Sequence, residues 1–125
     1  MHKTSQLLKA VSDPNRIRIV AALSRFEELC ACQITELLRI SGASVSRHLS
    51  QLAQVGIVDS RKQGRWVFYQ LTPESATTGL IQWIQERLVR SDTIQKDVEC
   101  LDAITQIDPA DICRKQRGEA CCPKN

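Results

Sequence analysis

Apolar residues recur along this chain at two spacings, and the change from one to the other divides it. Up to residue 56 the spacing is helical. Leu7, Leu8 and Val11 predict a short helix over 4–11. Asp13-Pro14 has the form of an N-cap followed by proline at the first helical position. Behind it Ile17, Val20, Ala21 and Ser24 share a stripe, with Leu23 beside it, which predicts a second helix over 14–25. A third runs over 32–40 with Ile34, Leu37 and Leu38 on one face. Ser41-Gly42-Ala43 breaks it, and a fourth begins near Ser44 with Val45, Leu49 and Leu52 inward. Gly56 suits its C-terminal cap.

From Ile57 the period drops to two. Residues 57–62 and 65–71 read as strands joined by a turn at Gln63-Gly64. In the second strand Val67, Tyr69 and Leu71 share one face, and Trp66 and Phe68 the other. Helical spacing then returns. Thr72-Pro73 starts a fifth helix with Leu80, Ile84 and Leu88 as its stripe, Ile81 and Trp83 alongside. Asp92 is the expected cap of one more helical piece, in which Ile94, Val98, Leu101 and Ile104 are spaced for burial and Cys100 lies near the inward stripe. After Asp108-Pro109 the pattern stops. The expected organisation is therefore one folded unit over 1–107 and a flexible, basic, Cys-rich tail over 108–125.

Two short helices joined by a Gly-containing turn and followed at once by a hairpin form a helix-turn-helix with a wing. The fold class is mainly α with a β-hairpin. With Val45, Leu49 and Leu52 committed to the core, the second helix turns Ser44, Ser46, Arg47, His48 and Gln51 outward or to its flanks. Arg can donate two hydrogen bonds to guanine, and Gln can pair with adenine. Base edges are met chiefly by the first residues of such a helix. The hairpin adds Arg61, Lys62, Gln63 and Arg65 around its tip, where charge holds a protein on phosphates and sets register. Taken singly, SVSRHLSQL could be an ordinary polar helix face and RKQGR a solvated turn. Their order and spacing point to double-stranded DNA as the partner.

Composition adds limits. Net charge is +3, which permits a nucleic-acid partner without requiring one. Aromatic content of 4% leaves the core to Leu, Ile, Val and Ala. The start MHKTSQLLKAV has no long apolar run, and no stretch approaches the roughly 18 residues of a membrane span, so a cytoplasmic protein without membrane contact is expected. Its six cysteines should then be mostly reduced thiols. No C-x-x-C, no Gly-rich phosphate loop and no placeable Ser/His/Asp set is present, so neither catalysis nor an organic cofactor is expected.

The run SDPNRIRIVAALSRFEELCACQITELL…SVSRHLSQLAQVGIVDSRKQGRWVFYQLTP resembles the arsenical-resistance repressor branch of the ArsR/SmtB family, over roughly residues 5–75. The resemblance implies a winged-helix homodimer that represses its own operon and releases operator DNA when a toxic metal or metalloid binds. It implies dimerisation through the first and last helices, in keeping with the Leu80, Ile84 and Leu88 stripe. It also implies arsenic sensing by a pattern like ELCxCxxC at the start of the first helix of the helix-turn-helix, the supporting helix over 32–40.

Here ELCACQIT supplies Cys30 and Cys32, with Thr35 at the third thiol's place. By spacing alone that pair could be packing, redox or ligand chemistry. With the resemblance it becomes the expected site for trivalent arsenic or antimony, because thiolates suit thiophilic ions. Cys113, Cys121 and Cys122 are candidate additional thiolates from the tail; Cys100 is expected to pack. The same thiols could instead answer to cadmium, lead or oxidants. The only histidines are His2 and His48, and the fifth helix lacks the Asp/His zinc pattern of related sensors.

Overall fold

The computed structural model describes residues 2–73 and 75–117. At its centre lies α2 (Pro14–Arg25). Asp13 caps it as expected, its carboxylate accepting from the backbone N–H of Asn15 at 2.9 Å and of Arg16 at 3.2 Å. The helix buries five consecutive residues, Ile19 to Leu23, rather than a single stripe, because it is covered from several sides. It packs against α4 (Gly42–Gln54), α5 (Ser75–Leu88), α6 (Asp92–Ile104) and the strand Trp66–Leu71. α1 (His2–Ala10) precedes it.

The helix-turn-helix is α3 (Ala31–Leu38) followed by α4. Arg39 ends α3 in the left-handed conformation, φ 57°. The fourth helix starts two residues ahead of the expected Ser44. Ser41, read as part of the break, is its N-cap and accepts from the backbone N–H of Ser44 at 3.1 Å, so Gly42 and Ala43 become its first turn. Ile34, Leu37 and Leu38 of α3 and Val45, Leu49 and Leu52 of α4 are buried as their spacing predicts. Burying a Leu or Ile side chain contributes roughly 1.5–3 kcal/mol, so these six hold the two helices together.

The hairpin pairs β2 (Val58–Gln63) with β3 (Trp66–Leu71), from Val58 opposite Leu71 to Gln63 opposite Trp66. The two-residue turn is Gly64-Arg65, one step along from the expected Gln63-Gly64, with Gly64 at φ 64°. A third strand was outside the sequence expectation. β1 (Leu29–Cys30) joins the free edge of β3 antiparallel, Leu29 opposite Tyr69 and Cys30 opposite Phe68, giving the order β1-β3-β2. Two residues carry no readable period, and only the fold brings them to that edge.

α6 is capped by Ser91, whose hydroxyl accepts from the backbone N–H of Ile94 at 3.4 Å, in place of the expected Asp92. It buries Leu101 and Ile104, and also Asp97, which meets Arg18 of α2. Cys100 faces outward and is exposed, contrary to the packing role expected for it. The stretch from 108, expected to be a mobile tail, holds a further helix, α7 (Pro109–Arg117). Asp108 starts it by accepting from the backbone N–H of Ala110 at 2.9 Å, and Ile112 and Cys113 are buried against α3. One short amphipathic turn with two apolar residues is too little pattern to read from sequence. Among the described residues no helix is long and apolar enough to cross a membrane.

Candidate DNA-reading face and thiol site

Ser46, Arg47 and Gln51 are exposed on the outer face of α4, and Ser44 is half-buried at its start. The Ser44 hydroxyl accepts from Ser41 Oγ at 3.0 Å and stands 3.4 Å from an Arg47 guanidinium nitrogen. His48 does not project freely. Arg16 of α2 donates to its Nδ1 at 3.0 Å. A guanidinium only donates, so Nδ1 is the acceptor and the ring proton sits on Nε2, 3.9 Å from Asp13 Oδ2. The same Arg16 donates to Gln51 Oε1, and through Nε to the Ala10 carbonyl at 2.6 Å. Arg16 therefore ties the end of α1 to the middle of the recognition helix. No local pattern marks Arg16 for this role, since its side-chain partners lie 32 and 35 residues away.

The wing divides similarly. Lys62, Gln63 and Arg65 are exposed around the tip. Arg61 is turned back along the sheet, donating to both carboxylate oxygens of Glu28 at 2.5 and 2.7 Å and to Gln63 Oε1 at 2.5 Å, over the Phe68 ring at 4.9 Å. Glu28 directly precedes β1. Its carboxyl is held below the ordinary glutamate value by the hydrogen bond from Arg61. The four expected wing residues thus form a tip of three and a fourth bound to the strand that carries Cys30.

Cys30 is the last residue of β1 and the N-cap of α3. Gln33 Oε1 accepts from its backbone N–H at 2.9 Å, while its sulfur faces the backbone N–H of Gln33. This is a capping box with a thiol in the hydroxyl's place. Burial pushes the thiol's pKa up, and the backbone N–H groups of Gln33 and Cys32 oppose that rise. Cys32 lies in the first turn of α3, also buried. Thr35 donates its hydroxyl to the Ala31 carbonyl at 2.8 Å.

The expected reduced thiols are not all present as such. Cys32 is joined to Cys113 of α7 in a disulfide, with Cα atoms 5.8 Å apart across 81 residues of sequence. Around it Gln116 donates to the Cys32 carbonyl at 2.9 Å and to Glu36 at 3.2 Å, and Lys115 pairs with Glu36 at 2.8 Å. In this oxidised arrangement no three His, Cys, Asp or Glu side chains among the described residues are grouped to hold a metal ion. Cys121 and Cys122 lie outside the described residues.

Residues 13–60 match the family described as "Bacterial regulatory protein, arsR family". The arsenic resistance transcriptional regulator ArsR1 of Pseudomonas putida is 38% identical over 82 residues, 66% of this chain and 60% of that protein. ArsR2 of the same organism is 34% identical over 117 residues, 93% of this chain and 95% of that protein. The cadmium resistance regulatory protein CadC of Listeria innocua is 45% identical over 65 residues, 52% of this chain and 55% of that protein. Two of these three relatives are therefore matched over less than two thirds of their own length. Among solved structures, HlyU from Vibrio cholerae superposes with a TM-score of 0.64 at 28% identity, covering 71% of this chain and 95% of that one.

Proposed function

This chain belongs to the arsR family of bacterial regulatory proteins, and we propose that it is a transcriptional repressor that leaves its operator when trivalent arsenic or antimony binds the thiolates of Cys30 and Cys32. The DNA-reading residues are Ser44, Ser46, Arg47, His48 and Gln51 on α4 and Arg61, Lys62, Gln63 and Arg65 on the wing. Of these, Arg16 and Glu28 hold His48, Gln51 and Arg61, while Ser46, Arg47 and Lys62 stand exposed on the two elements. The working unit is a cytoplasmic homodimer. Exposed Leu8 on α1 and Trp83 and Val89 on and just beyond α5 support pairing through those helices. Residues 1–107 make up the DNA-binding and dimerisation body, and α7 packs onto α3 of that body.

One observation carries this reading: Cys30 belongs at once to the wing sheet and to the cap of the supporting helix. Side chains two apart do not face each other on an α-helix. For Cys30 and Cys32 to converge on one ion, Cys30 must abandon the capping box, and the first turn of α3 must distort. That movement reaches α4 through their shared apolar face. It reaches the wing through β1, β3 and the Glu28–Arg61 pair. A hundredfold loss of DNA affinity needs only about 2.7 kcal/mol of coupling.

The test is a titration of protein bound to its own promoter fragment, reading release by fluorescence anisotropy. Arsenite should release the wild type and leave Cys30→Ser/Cys32→Ser bound; equal release of both sinks the proposal. A second reading, the same fold answering to oxidants, is favoured by the Cys32–Cys113 disulfide. Release by peroxide in the absence of arsenite would select it, and release by cadmium or lead alone would select a heavy-metal sensor.

A further inference from the structure

Resting on Cys30 and Cys32 as ion ligands, we propose that Cys113 of α7 supplies the third thiolate, so that two helices of one protomer enclose a three-coordinate trivalent arsenic or antimony. The residue at the third thiol's place, Thr35, is a poor ligand. Its oxygen is hard, and its hydroxyl proton is committed to the Ala31 carbonyl at 2.8 Å. Cys113 is the sulfur that the fold brings instead. Its Cα lies 5.8 Å from that of Cys32, so the two side chains can share one atom between them.

The approach is a built seam. Ile112 and Cys113 are 2% and 1% exposed. One turn further on, Gln116 donates to the Cys32 carbonyl at 2.9 Å and Lys115 pairs with Glu36 at 2.8 Å. These contacts run along α3 beside the sulfurs and do not use them. The Cys30 sulfur faces the backbone N–H groups at the same end of α3. It completes the trio by swinging away from the cap, the movement that the coupling to β1 requires.

The redox and ligand steps balance. A cellular thiol such as glutathione reduces the Cys32–Cys113 bond: two donor thiols become one disulfide, and two electrons and two protons restore two cysteine thiols. Arsenous acid then exchanges its three hydroxyl groups for three sulfurs. Each As–O bond gives way to an As–S bond, and each thiol proton leaves with its hydroxide as water. With three thiolates the ion needs no water ligand, which suits a buried position. The disulfide and the ion use the same two sulfurs, so the oxidised protein cannot form the site.

Arsenic K-edge X-ray absorption on the reduced full-length protein loaded with arsenite counts the sulfur neighbours. Three are expected in the wild type and in Cys121→Ser/Cys122→Ser, and two plus one oxygen in Cys113→Ser. Three sulfurs in Cys113→Ser, or the loss of one in the Cys121/Cys122 variant, overturns the proposal. Two sulfurs in the wild type overturn it while leaving Cys30 and Cys32 as ligands; an unchanged count in Cys30→Ser/Cys32→Ser sinks the underlying reading. A measurement on the unmutated chain guards against misfolded variants. Under arsenite, iodoacetamide labelling read by mass spectrometry should spare Cys30, Cys32 and Cys113, while exposed Cys100 labels freely. Labelling of Cys113 at its arsenite-free rate refutes the assignment.

Discussion

Asp97 is the residue whose removal should cost most for its size. It is 6% exposed on α6 and receives two parallel hydrogen bonds from Arg18 of α2, Nε and Nη2 each at 2.8 Å. The pair fastens α6 to the central helix. Asp97→Ala removes the carboxylate and leaves the guanidinium unpaired. For a fully buried pair that costs about 3–5 kcal/mol. The Arg18 side chain is 26% exposed and can recover some hydration, so about 2–3 kcal/mol is expected here. Asp97→Asn keeps one acceptor and should lose about 1–2 kcal/mol. The assay is urea unfolding at fixed protein concentration, since dimerisation would make stability concentration-dependent. With a slope of about 1.5 kcal/mol per molar, the midpoint for Asp97→Ala should fall by roughly 1.5 M. Hydrogen exchange should quicken in α6 more than in α4. Removing both charges, as Arg18→Leu/Asp97→Leu, should restore part of the loss, because the penalty is mostly the unpaired cation. A midpoint shift under about 0.3 M for Asp97→Ala would refute the reasoning.

Three further outcomes are expected. Arg47→Ala should weaken operator binding by about 1–3 kcal/mol and relax base preference, whereas Lys62→Ala or Arg65→Ala should weaken all sequences alike and lower the salt slope by about 1; anisotropy against operator variants at several salt concentrations separates the two, and an unchanged preference in Arg47→Ala counts against direct reading. Glu28 has a folded pKa below its unfolded one, so its contribution to stability is present above the unfolded glutamate pKa, roughly 4.3, and disappears as pH falls through the folded value. Glu28→Gln should therefore be less stable at pH 7 and show a shallower acid decline than the wild type; an identical decline by pH-dependent unfolding contradicts the pairing. Thr35→Cys introduced into Cys113→Ser should return a third sulfur neighbour to arsenic, since position 35 lies one turn on from Cys32 on α3; a persisting oxygen neighbour would show that the helix cannot bring it round.

Local physics made much of this molecule legible from the order of its residues. Asp13-Pro14 announces α2 because a carboxylate can cap only the N–H groups just ahead of it. The Val45, Leu49 and Leu52 spacing marks the buried side of α4, and the switch to period two at Ile57 marks the wing. Each of these signals acts across seven residues or fewer. The outward direction of Ser46 and Arg47 follows from the same arithmetic, as does the position of Cys30 and Cys32 at the head of the supporting helix.

The tertiary structure decided whatever depends on distant partners. His48 and Arg61 look free in the sequence, yet Arg16 and Glu28 hold them, 32 and 33 residues away. Leu29 and Cys30 become a strand only because β3 offers an open edge. Asp97 is buried, where its charge alone would place it in water, because Arg18 satisfies it. Cys113 reads as one thiol in a polar tail. A short helix with one apolar turn has no stable position of its own, and it gains one when α6 carries it to α3, 81 residues back along the chain. The cysteines themselves were therefore visible from the start. Which sulfurs can meet was set by packing.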